Sequence, residues 1–250
     1  MPRYGGLIAL AALAIAAAVY GLREGANTHL NMAVPRDTAI PTKPIAGETT
    51  PAPRPAAVPR GKGFDFYVLS LSWSPTYCGS EEGRGNRQQC GGTADYGLIV
   101  HGLWPQNETG YPEFCSSGGQ ERVPDSLGRS LFDIMPGMGL IGHEWRKHGT
   151  CSGLSQQDYF QVTRMAYERI NIPAALKTGK SSTRLGTEQI ESILVAANPD
   201  LGKRGIAVTC DGGKLDEIRI CLTKDLTFRD CLEVDRNACR LKSVDLPPID

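Results

Sequence analysis

Three of the four histidines lie in two short segments whose neighbouring residues suit proton transfer. The first segment, residues 101–105, reads His-Gly-Leu-Trp-Pro, and the second, residues 143–151, reads His-Glu-Trp-Arg-Lys-His-Gly-Thr-Cys. Imidazole titrates near neutral pH, so one histidine can take up a proton while another gives one up. The neighbouring glutamate and lysine suit an anionic substrate, and the two segments together predict phosphodiester cleavage.

The spacing inside the second segment argues against a metal centre. Glu144 and His148 are four residues apart and would share one face at the start of a helix, whereas His143 and His148 are five apart. The zinc-protease motif needs its two histidines four residues apart. We therefore predict no metal and no cofactor. The structural alternatives are an exposed helix ion pair and core histidines bonded to backbone carbonyls.

The first 60 residues have a composition that does not form a core. Residues 7–22 are uncharged and rich in Ala and Leu, and Arg3 precedes them, which predicts a signal peptide or an uncleaved membrane anchor over residues 1–22. Prolines recur from position 35 to position 59 and predict an extended linker over residues 23–60. A globular domain is then expected over residues 61–250, periplasmic or secreted, or tethered to a membrane by the N-terminal segment.

Charge and cysteine content narrow the partners and the compartment. After residue 60 the chain has 21 basic and 24 acidic residues, so any contact with nucleic acid should be local to a site. All eight cysteines follow the linker, which predicts four disulfides in an oxidising compartment. Spacing alone does not choose among the 105 pairings that eight cysteines allow. The absence of any C-x-x-C pair disfavours zinc ligation.

Local patterns predict an α+β fold with an antiparallel sheet. Aromatic and β-branched residues favour strands over residues 64–73 and 96–101, the second ending on His101. Helical spacing predicts helices over residues 125–134, from a capping box at Ser155 to about residue 170, and over residues 187–197. Short strands are expected over residues 206–210, 217–222 and 227–233. Helices clustered between strands favour α+β over a βαβ array.

The two histidine segments together resemble the active-site segments of the ribonuclease T2 family, whose members are secreted or vacuolar acid endoribonucleases with little base preference. The segments occur in the same order, and residues 66–78 are similar to the first core strand of that family. The resemblance covers residues 64–240. It implies an antiparallel central sheet packed with several helices, and it implies four disulfides: Cys78–Cys90, Cys115–Cys151, Cys210–Cys239 and Cys221–Cys231.

By position, the resemblance also assigns site residues. It implies catalytic roles for three residues and phosphate contacts for two more: His101, Glu144 and His148, and then His143 and Lys147. Trp104 and Tyr111 match aromatic positions that stack a base, although simple core packing is an equal alternative for Trp104. Some relatives have an acidic residue where this chain has Gln106. Base preference therefore does not transfer.

These roles imply metal-independent cleavage of single-stranded RNA by a monomer. The 2′-hydroxyl would attack the adjacent phosphorus to give a 2′,3′-cyclic phosphate, which water would open to a 3′-phosphate. His148 is expected to be the base and His101 the acid, in a bell-shaped pH–rate profile with its optimum below neutrality. DNA lacks the 2′-hydroxyl and should not be cut.

Two other functions fit parts of the sequence. A catalytically silent, disulfide-rich binding module could use the same scaffold, although every candidate for proton transfer is present. A secreted metallohydrolase is disfavoured by the histidine spacing. RNA cleavage and its response to EDTA distinguish the three.

Overall fold

The first strand of the chain is an inner strand of the sheet, and it consists of the aromatic and aliphatic residues predicted for it. The computed structural model describes residues 57–91, 95–116, 118–177, 179 and 181–249. Strand β1 (Phe66–Trp73) is buried along nearly its whole length. Successive side chains of a strand point to opposite faces, and here Leu69 and Leu71 enter the large core while Phe66 and Val68 enter a smaller cluster on the other face. The two faces of the sheet are therefore chemically distinct.

Within the described residues the sheet has six strands in the order β2-β1-β5-β6-β3, with β4 also paired to β5. The remaining strands are β2 (Leu98–Gln106), β3 (Thr183–Gly186), β4 (Ile206–Asp211), β5 (Lys214–Leu222) and β6 (Ser243–Leu246). All pairs are antiparallel except β5 with β6, which pair in parallel at Lys214 and Asp245. The predicted α+β class with an antiparallel central sheet is confirmed.

The helices cover the large core and supply one wall of the site described below. They are α1 (Ser74–Cys78), α2 (Arg87–Cys90), α3 (Asp125–Arg129), α4 (Met138–Lys147), α5 (Gln156–Glu168), α6 (Thr187–Ala197) and α7 (Leu232–Arg236). Helix α5 begins where the capping box was predicted, because the Ser155 hydroxyl accepts a hydrogen bond from the Asp158 backbone amide at 3.1 Å. Helix α6 has the predicted bounds.

Strand pairing is irregular at two places, one in β2 and one in β5, the two strands on either side of β1. Ser70 of β1 faces Gly102, while the next residue, Leu71, faces Val100, so His101 is an extra residue in β2. In β5, Asp216 and Glu217 together face Thr209 of β4. Such β-bulges redirect side chains and are common next to active sites. The first histidine segment and the β5 carboxylates are both placed by bulges.

The structure corrects several predicted boundaries. Strand β2 does not end on His101 but continues to Gln106, and the missing amide of Pro105 is tolerated because β2 is an edge strand. The helix expected over residues 125–134 stops at Arg129 and continues as turns. The strand expected over residues 227–233 is wrong: only Phe228 bridges to Leu222, and α7 follows.

Each disulfide has at least one cysteine in a helix, a 3-10 turn or a strand: Cys78 in α1, Cys151 in the turn after α4, Cys210 in β4 and Cys221 in β5. The pairs in the structure are Cys78–Cys90, Cys115–Cys151, Cys210–Cys239 and Cys221–Cys231, the same pairs that the resemblance implies. No helix among the described residues is long and apolar enough to cross a bilayer. The predicted signal peptide or anchor over residues 1–22, and the linker up to residue 56, lie outside the described residues.

Candidate active site

A cavity of about 400 Å³ opens on the face of the sheet opposite the large core. Every predicted active-site residue other than the cysteines lines this cavity: His101, Trp104, Tyr111, His143, Glu144, Lys147 and His148. The two histidine segments, separated by about forty residues in the sequence, therefore meet at one place. Strand β2 supplies the first segment, and α4 with the turn after it supplies the second.

His101 lies between two carboxylates. Its Nδ1 is hydrogen-bonded to Glu217 Oε1, and its Nε2 is 3.5 Å from Glu144 Oε1. Burial lowers the pKa of His101, but the hydrogen bond to Glu217 and the negative charges of Glu144 and Glu217 outweigh it and raise the pKa above 6.5. His101 is therefore the imidazole that holds its proton best.

Glu144 is a buried carboxyl group with one strong hydrogen-bond donor. Its side chain is 1% exposed, and its Oε2 accepts a hydrogen bond from Trp104 Nε1 at 2.8 Å. Burial raises the pKa of Glu144 to about 7, against the opposing effects of His101 and of the indole N–H. Gly102 makes room for this contact, because a side chain at that position would occupy the space of the carboxylate and the indole.

The second histidine segment forms the end of a helix, not its start as predicted. Helix α4 begins at Met138 and ends at Lys147, and His148 is its C-cap, donating its backbone N–H to the Glu144 carbonyl at 2.9 Å. A 3-10 turn (Gly149–Ser152) then leads into the Cys115–Cys151 disulfide. This cross-link fixes the backbone three residues beyond His148.

His148 has surroundings opposite to those of His101. It is 5% exposed, stacks on Trp104 with ring centroids 5.1 Å apart, and has a buried Nδ1 without a hydrogen-bond partner among the described residues. Burial, followed by the positive charge of Lys147, lowers the pKa of His148 to about 3. The ring is neutral at working pH, which leaves Nε2 free to accept a proton.

His143 and Lys147 lie one helical turn apart on α4 and both line the cavity. Lys147 Nζ is 3.9 Å from Glu113 Oε2. Burial and the neighbouring charges of Lys147 and His101 lower the pKa of His143. His143 therefore becomes cationic only in acid.

Trp104 contacts other residues of the site with its ring. Besides His148, it meets His101 edge-on at 5.4 Å between centroids, and the Arg219 guanidinium lies over the ring at 5.2 Å. These contacts favour a role in positioning the histidines over base stacking. Tyr111 is 55% exposed at the cavity, where a base could reach its ring.

Two residues of the cavity were not predicted from the sequence, Glu217 and Arg219. Both line the cavity on β5, where Arg219 Nε and Nη2 donate to Glu217 Oε2 at 2.8 and 2.7 Å. They alternate with the buried Ile218 and Ile220, a pattern equally typical of the solvent face of an ordinary strand. Only the order of strands in the sheet brings Glu217 to His101.

Comparisons with known proteins find one family model and several relatives that match this chain. Residues 64–231 match the Ribonuclease T2 family. A ribonuclease of Aeromonas hydrophila is 39% identical over 113 residues, 45% of this chain and 49% of that protein. Ribonuclease DdI of Dictyostelium discoideum is 31% identical over 193 residues, 70% of this chain and 82% of that protein. The chain thus spans about half the length of the Aeromonas relative.

The fold is also similar to a solved structure. An RNase-related protein from Calystegia sepium superposes with a TM-score of 0.61 at 23% identity, over 76% of this chain and all of that one. At this level of identity the likeness concerns the fold. Among the described residues, no cluster of three or more His, Cys, Asp or Glu side chains could hold a metal ion.

Proposed function

This chain belongs to the Ribonuclease T2 family, and on that premise we propose that it is a metal-independent endoribonuclease of single-stranded RNA. The observation that carries the proposal is the pair of imidazoles lining one cavity with pKa values moved in opposite directions. Two titratable groups whose surroundings separate their pKa values are suited to act as acid and base at one pH. His101 is the acid and His148 is the base.

The reaction uses the substrate's own hydroxyl as nucleophile. His148 Nε2 takes the proton from the 2′-hydroxyl, and the 2′ oxygen forms a bond to phosphorus as the bond from phosphorus to the 5′ oxygen breaks. His101 Nε2 gives its proton to the departing 5′ oxygen. The products are a 2′,3′-cyclic phosphate and a 5′-hydroxyl, and positioned acid–base catalysis of this kind contributes about 10² to 10⁴ in rate.

The second step reverses the two roles. His101, now neutral, takes a proton from water, and the oxygen of that water attacks the cyclic phosphate. As the bond from phosphorus to the 2′ oxygen breaks, His148 gives its proton to that oxygen, and the product is a 3′-phosphate. Lys147 offsets the negative charge on the phosphoryl oxygens in both steps, and His143 adds to this effect when acid protonates it.

The expected pH dependence follows from these pKa directions. The rate rises as His148 loses its proton near pH 3 and falls as His101 loses its own above 6.5, its ordinary value. Since His143 is cationic only on the acid side, the optimum is expected below neutrality. A rate that still climbs beyond pH 8 would contradict two essential histidines.

The substrate is expected to be single-stranded RNA. In-line attack needs a nucleotide that is free to leave the helical stack, and an exposed aromatic ring such as Tyr111 can stack an unpaired base. We expect no broad base preference and no cleavage of single-stranded DNA.

The decisive experiment compares His101→Ala and His148→Ala with the wild type on polymeric RNA. Both variants should melt cooperatively, retain RNA binding and lose about 10² to 10⁴ in kcat. Mass spectrometry of wild-type digests should find 2′,3′-cyclic phosphate before 3′-phosphate. Wild-type binding without turnover would instead identify a silent binding module, and loss of activity in EDTA would identify a metal nuclease.

We further propose that the enzyme works in the periplasm or outside the cell as a monomer. All eight cysteines are paired, which suits an oxidising compartment. Residues 1–22 would then be a signal peptide or an anchor. N-terminal sequencing of protein from soluble and membrane fractions separates these two, and light scattering measures the oligomeric state.

A further inference from the structure

The Nδ1 side of His101 faces a carboxylate that the reaction scheme leaves without a task. Glu217 Oε1 binds His101 Nδ1, the ring nitrogen that does not face Glu144. The Glu217 side chain is 5% exposed. A carboxylate this buried is costly unless it is well paired, so its placement against His101 needs a physical reason.

Glu217 is held by other groups as well as by the imidazole. Arg219 donates two hydrogen bonds to Oε2, at 2.8 and 2.7 Å. The Glu217 backbone N–H donates to Thr209 Oγ1 at 3.0 Å, across the bulge in β5. Each carboxylate oxygen therefore has a fixed partner, and Oε1 is held towards the histidine.

The sheet also leaves space between His101 and Glu217. His101 is on β2 and Glu217 is on β5, with β1 between them. On that face β1 presents small side chains, since Ser72 faces Glu217, and Ser70 faces both Arg219 and Gly102. A large residue at either serine would stand between the imidazole and its carboxylate.

We propose that Glu217, locked by Arg219, is a positioning residue that fixes the tautomer and orientation of the general acid His101. The proposal deepens the proposed function and rests on it. With the Nδ1–H bonded to Glu217, the other N–H, on Nε2, points to the reaction site. When the bond from phosphorus to the 5′ oxygen breaks, the Nε2–H proton moves to that oxygen and the Nδ1–H bond remains.

Glu144 does not replace Glu217 in this role. It lies 3.5 Å from Nε2, the atom that must release its proton to the substrate. Its pKa, raised to about 7 by burial, leaves it partly protonated near neutrality. Burial also acts to raise the pKa of Glu217, but the hydrogen bond from His101 and the positive charges of His101 and Arg219 lower it to about 2. Glu217 is thus the carboxylate that stays charged.

The charges of Glu217, Glu144 and Asp216 act on the pKa of His101, and they belong to a larger set of titratable and charged groups around the cavity. On β5 they are Glu217, Asp216 and Arg219, and on α4 and its C-cap they are His143, Glu144, Lys147 and His148. Among these, Glu217 makes a direct hydrogen bond to the ring and Glu144 lies at 3.5 Å. Neutralising Glu217 should therefore lower the pKa of His101 and free its Nδ1.

The first test uses NMR of the full-length protein with ¹⁵N-labelled histidine, and needs no turnover. In Glu217→Gln the His101 pKa should fall, and the neutral ring should lose its preference for the Nδ1–H tautomer. The matched control is Glu191→Gln, which makes the same change at a half-buried carboxylate that accepts from the Val208 backbone N–H, away from the cavity. It should leave the His101 signals unchanged. Wild-type titration and tautomer in Glu217→Gln would overturn the proposal.

The second test uses turnover with two leaving groups. On RNA, Glu217→Gln should lower kcat about 10- to 100-fold with little change in KM, which is part of the 10² to 10⁴ that acid–base catalysis supplies. On a nucleoside 3′-(4-nitrophenyl phosphate), whose leaving group needs no proton, the loss should be less than about threefold. Equal losses on both substrates would refute an effect through the general acid.

Two more outcomes must be covered: a Glu217→Gln variant that does not fold, and a wild-type protein that does not cut RNA. If thermal melting shows that Glu217→Gln does not fold, Arg219→Gln releases the same carboxylate from a side chain that is 29% exposed. The neutral His101 ring should then lose part of its preference for the Nδ1–H tautomer and kcat on RNA should fall by less than in Glu217→Gln, while the His101 pKa should not fall, because the carboxylate keeps its charge and loses the guanidinium that offsets it. Wild-type protein that fails to cut RNA would end the proposed function, while the NMR result would still decide whether Glu217 orients His101.

Discussion

Replacing Gly102 by alanine should disable the site through one added methyl group. An ideal Cβ at this position would lie 2.7 Å from the Glu144 carboxyl carbon, and closer to Glu144 Oε2 and Trp104 Nε1. Ordinary contacts between non-bonded carbon atoms are about 3.5 to 4.0 Å. The carboxylate must therefore retreat by about 1 Å, away from the indole N–H that it accepts from and away from His101.

The expected losses of activity and stability in Gly102→Ala follow from this displacement. A misplacement of about 1 Å can cost about 10² in rate, because acid, base and substrate no longer align. Overpacking a filled site destabilises a fold by about 1 to 3 kcal/mol. We expect Gly102→Ala to lose about 100-fold in kcat/KM on single-stranded RNA and to unfold at lower urea, while remaining folded at 25 °C.

Gly139→Ala is the matched control. Gly139 is an exposed residue of α4, the helix that holds Glu144, and a Cβ there meets nothing within 4 Å. Alanine is favoured over glycine in a helix interior by about 0.8 to 1 kcal/mol. Gly139 is the second residue of α4, so this variant should gain at most that much stability and should be equally active. If Gly102→Ala kept kcat/KM within twofold of wild type, the packing described for Glu144 would be incorrect.

Three other perturbations follow from the same geometry. The pKa of His148 is lowered from 6.5 to about 3, so between these pH values the unfolded chain binds a proton that the folded chain does not bind. As the pH falls from 6.5 to about 3, the free energy of unfolding should therefore drop by about 5 kcal/mol, at 1.36 kcal/mol per pKa unit. Urea unfolding of His148→Asn should show a correspondingly weaker acid dependence. Trp104→Phe removes the indole N–H that donates to Glu144, which should raise the pKa of that carboxyl group further. The variant should lose about 10-fold in kcat, and a limb of its pH–rate profile should shift. Replacing both Cys115 and Cys151 by alanine opens a loop with a sequence separation of 36, so calorimetry should find a loss of about 4 kcal/mol.

Local features of the fold were predictable where the signal is local. The capping box at Ser155 and the helix Thr187–Ala197 depend on neighbouring residues, and the structure has both. The strand expected over residues 227–233 failed because the segment does not alternate regularly, and the adjacent polar residues Arg229 and Asp230 are also compatible with a turn. The Cys221–Cys231 disulfide folds that segment back onto β5, and α7 begins at the next residue.

The features of the site also divide into local ones that the sequence predicts and non-local ones that it does not. Both histidine segments were recognisable because the candidate catalytic residues of each lie within a few consecutive positions. The sequence did not reveal that α4 ends at Lys147, which makes His148 a buried C-cap. Nor did it reveal that His101 occupies a bulge, since a bulge is a property of two paired strands and not of one.

The opposite pKa shifts of the two imidazoles depend on this non-local part. His101 has Glu217 against its Nδ1 only because β5 lies two strands from β2 and both strands are bulged where the residues meet. In the part of the chain that the structure describes, no carboxylate is bonded to His148, because Glu144 points its oxygens to Trp104 and His101 instead. One buried carboxylate on each side of His101, and none bonded to His148 among the described residues, suits the first ring to the proposed role of acid and the second to that of base. The assignment of roles is therefore a consequence of sheet order and helix termination, which the motifs alone do not encode.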